Sequence, residues 1–272
     1  MPPGKAKTST RGVTKAPLYT GFAEVYDQLM GDVNYDAWAD FYVRMMAAFG
    51  IREGKVCECA CGTGSLTLPL NKRGFQMTGV DLSQDMLWIA AQKARAAGMG
   101  IPFVRQDMRK LRLHRPMDAV LATCDGVNYL LEDQDALDFF RAAWGALRPG
   151  GGLFFDVSTP YKLQNALGNQ LICEDLENIT YFWQNRWSEK HQQVDMHLCI
   201  FVKSEDGSYR RIDEEQKQRA HSLQGLTSLL RQAGFDHVMV FGNGRMEPPR
   251  EGEHRWHFAA VKRLDPAELP QL

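Results

Sequence analysis

Glu58, Gly62, Gly64 and Asp81 are the residues of this 272-residue chain whose types and spacing first suggest chemistry. The run Glu58-Cys59-Ala60-Cys61-Gly62-Thr63-Gly64-Ser65 lies between an expected strand and an expected helix. Glycines there let a ligand approach the backbone closely and leave the first helical amides free to point at a carboxylate or phosphate. Asp81 follows about 20 residues on, at the expected end of the next strand, where a carboxylate can accept both hydroxyl protons of a ribose. Together these residues point to a nucleoside-containing cofactor. A nicotinamide dinucleotide would use the same strand, turn and acid. Its G-x-G-x-x-G pattern, however, requires glycine at position 67, where Thr67 stands. Glu58 inside the turn would also repel a phosphate and accept a hydrogen bond from an ammonium group.

These residues need alternating strands and helices to position them. Apolar residues at helical spacing, from Trp38 through Phe41, Tyr42, Met45, Met46 and Phe49, predict an amphipathic helix with Gly50 at its left-handed cap. Strands are expected over 56–59, 76–80, 102–105, 117–122 and 153–157. Helices are expected from about Ser65, over 83–97 before Gly98, and over 135–147 before Pro149-Gly150-Gly151-Gly152. This alternation implies right-handed crossovers and a parallel sheet covered on both faces. Between about Leu171 and Ala220 the period switches to two, with Tyr181, Trp183, Asn185 and Trp187 on one face, which reads as antiparallel strands. Asp206-Gly207 marks a hairpin turn before a strand over 209–220, although 213–218 taken alone also suits a helix. A helix over 223–233 and strands over 238–241 and 256–261 return the chain to the sheet. The expected fold is α/β: a doubly wound, Rossmann-like sheet of seven strands with an antiparallel terminal strand, plus a small antiparallel β-sheet insertion. The expected segments are a disordered basic tail over 1–17, a helical lid over 18–50, a core over 51–160 and 221–264, and the insertion over 161–220, covering the substrate.

S-adenosylmethionine carries an ammonium group and no phosphate, and at this point the chain resembles the class I S-adenosylmethionine-dependent methyltransferases. Their first motif reads acid-x-Gly-x-Gly-x-Gly. Here it is Glu58-x-Ala60-x-Gly62-x-Gly64, where Ala60 suits a backbone that is not left-handed. The similarity continues in Gly79-Val80-Asp81-Leu82-Ser83, in Arg105-Gln106-Asp107-Met108 and in Leu147-Arg148-Pro149-Gly150-Gly151. A narrower resemblance, from Tyr19 to Lys262, is to the YqeM-like methyltransferases. It rests on Phe22-Ala23-x-x-Tyr26-Asp27-x-Leu29-Met30, on Cys124-Asp125-Gly126-Val127-Asn128-Tyr129-Leu130, and on Asp156-Val157-Ser158-Thr159-Pro160-Tyr161-Lys162-Leu163. The resemblance implies S-adenosyl-L-methionine as cofactor, with Asp107 bonding the adenine amino group and Leu82, Met86 and Met108 enclosing the ring. It adds Tyr26, Ala60, Cys61, Gln106 and Cys124 to the cofactor contacts, beside Glu58, Gly62, Gly64 and Asp81. The implied activity is methyl transfer to nitrogen or oxygen of a small molecule. Asp125, Tyr129, Tyr161 and His221 are the candidates for a base or orienting group. A non-catalytic cofactor-binding protein and a nicotinamide-dependent oxidoreductase are the alternatives.

Each residue also has a plainer role to weigh. Ser83 is assigned the helix cap and Asp81 the ribose. Trp38 is assigned to the core, with Tyr26 a candidate lid over the cofactor. Cys57, Cys59 and Cys61 alternate along one strand without a second ligand pair, and His254 and His257 lack further ligands, so no metal site is expected. A net charge of −1 offers no general attraction to nucleic acid, and no apolar run approaches the roughly 20 residues that cross a bilayer. The tryptophan- and tyrosine-rich insertion is expected to give an apolar or aromatic-lined pocket. The partner is therefore expected to be a small molecule and the protein cytoplasmic, as a monomer or dimer.

Overall fold

The computed structural model describes residues 21–263, so the expected tail over 1–17 lies outside the described residues. Helices α1 (Ala23–Leu29) and α2 (Tyr35–Ala48) lead into strand β1 (Lys55–Cys59), helix α3 (Thr67–Lys72), strand β2 (Gln76–Asp81) and helix α4 (Gln84–Ala96). Strands β3 (Phe103–Arg105) and β4 (Met117–Ala122), helix α5 (Asp133–Ala146) and strand β5 (Leu147–Ser158) follow. Four strands come next: β6 (Leu171–Asp175), β7 (Ile179–Ser188), β8 (Gln193–Lys203) and β9 (Tyr209–Arg219). Helix α6 (Leu223–Gln232) and strands β10 (His237–Phe241) and β11 (Arg255–Val261) close the described chain. Among the described residues, no helix is long and apolar enough to cross a membrane.

Seven strands form one sheet in the order β3-β2-β1-β4-β5-β11-β10. The first five pair in parallel, and β11 runs antiparallel to both β5 and β10. Alternation along each strand feeds two cores. Val56, Ala119, Leu121 and Phe154 join the cluster under α2 and α3, whereas Cys57, Cys59, Val120, Ala122 and Phe155 join the cluster under α5 and α6. Helices cover both faces, which is why the central strands are apolar almost throughout. Cys57 and Cys59 are therefore core residues.

β6 to β9 form a second, wholly antiparallel sheet. Segment 213–218 is strand rather than helix because every residue of β9 has a partner on β8, which outweighs the helix preference of Glu and Gln. One face of this sheet packs on α1 and α4 through Phe22, Val25, Met86, Met196 and Ile200.

Boundaries differ from expectation where backbone pairing decides them. Helix α5 begins at Asp133, two residues before the expected start. β5 starts at Leu147, through the Pro-Gly-Gly-Gly run, because Leu147 pairs with Met117 before the register slips to Gly152 opposite Ala119. A Cβ at Gly151 would lie 2.9 Å from the Asp118 carbonyl oxygen, so only glycine lets the strands approach there.

Ala60 corrects another expectation: its φ of 51° is left-handed. A side chain there costs about 1–2 kcal/mol, of which a glycine would return part to unfolded-chain entropy. Ala60→Gly is expected to raise the melting temperature by about 1–3 °C, as read by calorimetry. A fall of similar size would mean that the methyl group's packing against Gly126 outweighs the strain.

Candidate active site at the carboxyl edge of the sheet

β1 ends in a bend where Ala60, Gly62 and Gly64 all have positive φ, at 51°, 52° and 73°. Nothing lies within 4 Å of a Cβ built on Gly62, so its backbone faces open space. β2 delivers Asp81 to the same edge. The Gly62 amide donates to Asp81 Oδ2 at 2.8 Å, and the Ser83 amide donates to Oδ1 at 2.8 Å. Each oxygen keeps a second lone pair. Ser83 in turn caps α4, its Oγ accepting from the Met86 amide at 3.2 Å. Burial pushes the Asp81 carboxyl up, and the backbone donors pull it back.

Glu58 sits deeper, 2% exposed. Its carboxyl accepts from the Thr67 hydroxyl on one oxygen and from the Thr123 hydroxyl, at 2.9 Å, on the other. Thr67, standing where a dinucleotide motif has glycine, thus holds the acid of the turn. Burial pushes the Glu58 carboxyl up to about 7, against the pull of the two hydroxyls.

The third acid, Asp107, caps a short 3-10 helix over Met108–Lys110. Its oxygens accept from Arg109 Nε and Nη2, and Arg109 also reaches Asp135 at 2.7 Å. The Gln106 amide donates to the Asp81 carbonyl at 3.1 Å, and its side chain pairs with the Arg112 backbone. Leu82 is 58% exposed beside these acids, whereas Met86 is buried under the second sheet. Cys61 is buried, its amide donating to the Val80 carbonyl.

After β4 the chain turns through Cys124 and Asp125, at φ 53° and 67°. Two successive non-glycine residues in this region are strained. The fully buried Asp156 of β5 holds them: its Oδ1 accepts from the Cys124 amide at 2.9 Å and its Oδ2 from the Asp125 amide at 3.1 Å. Arg255 of β11 bridges Asp156 and Asp125, with Trp38 stacked on its guanidinium at 5.0 Å. Tyr42 donates to Asp156 Oδ1 at 2.9 Å and lies 3.3 Å from His257 Nδ1. Because His257 Nε2 accepts from the Gly244 amide, its neutral form carries the proton on Nδ1 and donates it to Tyr42. Burial pushes His257 down to about 4.

The candidate bases occupy different settings. Asp125 is in the ion pair with Arg255, accepts from Ser158 Oγ at 2.8 Å and lies 3.8 Å from Lys162; burial raises its pKa, but these cations hold it well below the usual range. Tyr129 donates to Gln216 Oε1 of β9 at 2.8 Å. Tyr161 is half exposed, its ring 5.8 Å from His254. His221 is buried with Nε2 unpaired, and burial lowers it to about 4. Tyr26 is partly buried, with Tyr35, Cys124, Tyr129 and Asp125 as its charged or titratable surroundings. Tyr35, which pattern and motif left unremarked, is thus part of this group. So is a clasp on the turn: Asp27 of α1 accepts from Thr63 at 2.6 Å, Ser65 at 2.9 Å and Lys93 at 2.6 Å. Asp27 stood in a quoted motif, but its partners lie 36 or more residues away.

Residues 56–151 match the family of methyltransferase domains. The chain is 35% identical to a protein of Geobacillus sp. (strain WCH70) that carries a methyltransferase name, over 90% of this chain and 99% of that one. It is 32% identical to YqeM of Bacillus subtilis (strain 168), also named as a methyltransferase, over 90% of this chain and 97% of that one. Its fold is similar to a crystal structure of an S-adenosylmethionine-dependent methyltransferase from Clostridium acetobutylicum, with a TM-score of 0.81 and 29% identity, covering 91% and 99% of the two chains.

The elevated Glu58 sets a pH dependence. A carboxyl raised in the folded state stabilises fully below its unfolded pKa, here 4.5, and that contribution disappears as pH rises through about 7. His221 and His257, lowered on folding, act in the opposite sense, so the comparison must be between variants. Glu58→Gln is expected to gain stability relative to the parent between pH 4.5 and 8, by on the order of 1–3 kcal/mol. Parallel melting curves for the two proteins across that range would contradict the assignment.

Proposed function

The chain belongs to the S-adenosylmethionine-dependent methyltransferases of the YqeM-like family, and on that premise we propose that it methylates a nitrogen or oxygen of a small molecule held at the carboxyl edge. The observation that carries this reading is the Gly62 amide bonded to Asp81, which joins the open bend and the acid in one cradle. The residues around it suit a ribose and an ammonium better than a pyrophosphate: Glu58 and Asp81 are acids, and the nearby cation Lys93 is paired with Asp27.

S-adenosylmethionine supplies an activated sulfonium methyl, so the protein's work is binding, orientation and exclusion of water. Asp81 accepts from the ribose hydroxyls, and the bend at Gly62 lets the backbone lie close to the cofactor. Glu58, below the bend, ties α3 to the end of β4 through Thr67 and Thr123. Leu82 and Met108 would flank the adenine, with Asp107 toward its amino group, whereas Met86 packs under the second sheet. Tyr26 and Tyr35 close the edge from the α1–α2 side. When bound, the cofactor would supply its methyl group to an acceptor lone pair held in line with the carbon–sulfur bond and leave as S-adenosylhomocysteine, the acceptor's proton passing to water.

Asp125 is committed to Arg255 and burial pushes His221 down to about 4, which leaves both weak bases and favours an acceptor that needs no strong base, such as a neutral amine. Incubation with methyl-labelled S-adenosylmethionine and a cell metabolite extract should label a small molecule and release S-adenosylhomocysteine in equal amount. Saturable cofactor binding without transfer to any fraction would instead identify a binding protein.

A further inference from the structure

The inner face of the four-stranded sheet is largely apolar, with Tyr181, Trp183 and Trp187 packed on its core, but polar groups interrupt it. Strand register sets Trp183, Leu198 and Glu214 in one row across it, and Asn185, Met196 and Gln216 in the next. The central strand β8 contributes only apolar side chains to these rows. Polar groups come from the flanking strands, and several have no protein partner. The indole Nε1 of Trp183 and both amide atoms of Asn185 are buried without a hydrogen bond, and Asn185 as a residue is only 2% exposed. Buried amides and indole N–H groups ordinarily find partners, so three orphaned atoms on one strand need an explanation. Leucine or phenylalanine would seal the same space without that penalty.

The sheet that carries these atoms is tied to the reaction edge. Gln216, in the Asn185 row, accepts from Tyr129, and the Asn128 amide donates to the Arg219 carbonyl at the end of β9. Tyr26 packs on the same face as Trp183, while its phenol lies among Cys124, Asp125 and Tyr129. Trp183 and Asn185 are same-face neighbours two residues apart, roughly 7 Å along the strand. That spacing spans two adjacent polar groups of a small ligand. The two rows carry no cation, so an anionic ligand would find no counter-charge in them.

Resting on the methyl-transfer reading above, we propose that Trp183 and Asn185 recognise the methyl acceptor. The indole N–H and the amide N–H donate to it, and the amide carbonyl accepts from it. The acceptor is then a water-soluble small molecule bearing neutral hydroxyl, carbonyl or amide groups beside its methylated atom, rather than a lipid or a polyanion. A site built to hydrogen-bond such groups discriminates strongly against analogues that lack them, because its own polar atoms are then left unpaired.

The test uses the full chain and the variants Asn185→Leu and Trp183→Phe. Affinity for S-adenosylhomocysteine, measured by calorimetry, should be the same in all three; absent binding to the parent would refute the cofactor reading itself. Labelled S-adenosylmethionine is then supplied with the aqueous and the chloroform-soluble fractions of a metabolite extract. Label should enter the aqueous fraction and fall at least tenfold in each variant. Label entering only the chloroform fraction, or undiminished transfer by the variants, would overturn the proposal. Thermal stability without acceptor is a second readout that needs no substrate. Asn185→Leu should melt at or above the parent temperature, since it removes unpaired polar atoms. A clear drop would mean that the amide has structural partners such as bound water, and would likewise overturn the proposal.

Discussion

A single buried carboxylate holds the working edge of this protein in shape. Asp156 takes the amides of Cys124 and Asp125, the Tyr42 hydroxyl and the Arg255 guanidinium. The two amides belong to successive left-handed residues, whose strain of about 1–2 kcal/mol each is offset by hydrogen bonds to a charged acceptor. Arg255 supplies the counter-charge that lets two carboxylates, Asp125 and Asp156, sit together away from water. The antiparallel strand β11 therefore does more than finish the sheet. It brings the guanidinium to the ends of β4 and β5, where the chain would otherwise relax away from the cleft.

The acids at the edge divide the tasks by environment. Asp81 lies at the lip, tied to two backbone amides, and keeps lone pairs for a ligand. Glu58 lies below it, tied to two hydroxyls and shifted toward neutrality by burial. Asp156, paired with Arg255, holds the two backbone amides, and Asp125 is kept ionised by Arg255 and Lys162. Over this edge α1 is fastened by Asp27 to the turn and to α4, and the second sheet is fastened by Tyr129–Gln216 and Asn128–Arg219. The edge and its cover thus share their supports.

Much of the fold was readable because it is local and periodic. The strand–helix alternation predicts the parallel strands, and the switch to period two predicts the second sheet. Segment 213–218 was ambiguous because its residue types favour helix, and only pairing with β8 decides it. The start of β5 was hidden because glycines that stop a helix also permit the close approach to Asp118. Ala60 misled for a related reason: its left-handed backbone is imposed by the bend and not by its own preference. The motif placed Gly62 and Asp81 at neighbouring strand ends, and the structure has them bonded. It could not foresee that Thr67 and Thr123 occupy Glu58, or that Arg255 reaches Asp156 across 99 residues. Those are contacts between distant segments, without periodicity to announce them.

On the proposed reading, cofactor binding and methyl transfer both depend on the cradle formed by the Gly62 bend and Asp81. Calorimetric titration of S-adenosylmethionine into the parent protein and into Asp81→Ala tests that cradle directly. One cofactor should bind saturably per chain, weakened about 10- to 100-fold by the substitution, on the scale of lost charge-assisted hydrogen bonds. Equal affinity in the two proteins, or no binding to the parent, would contradict the assignment of Asp81 to the ribose.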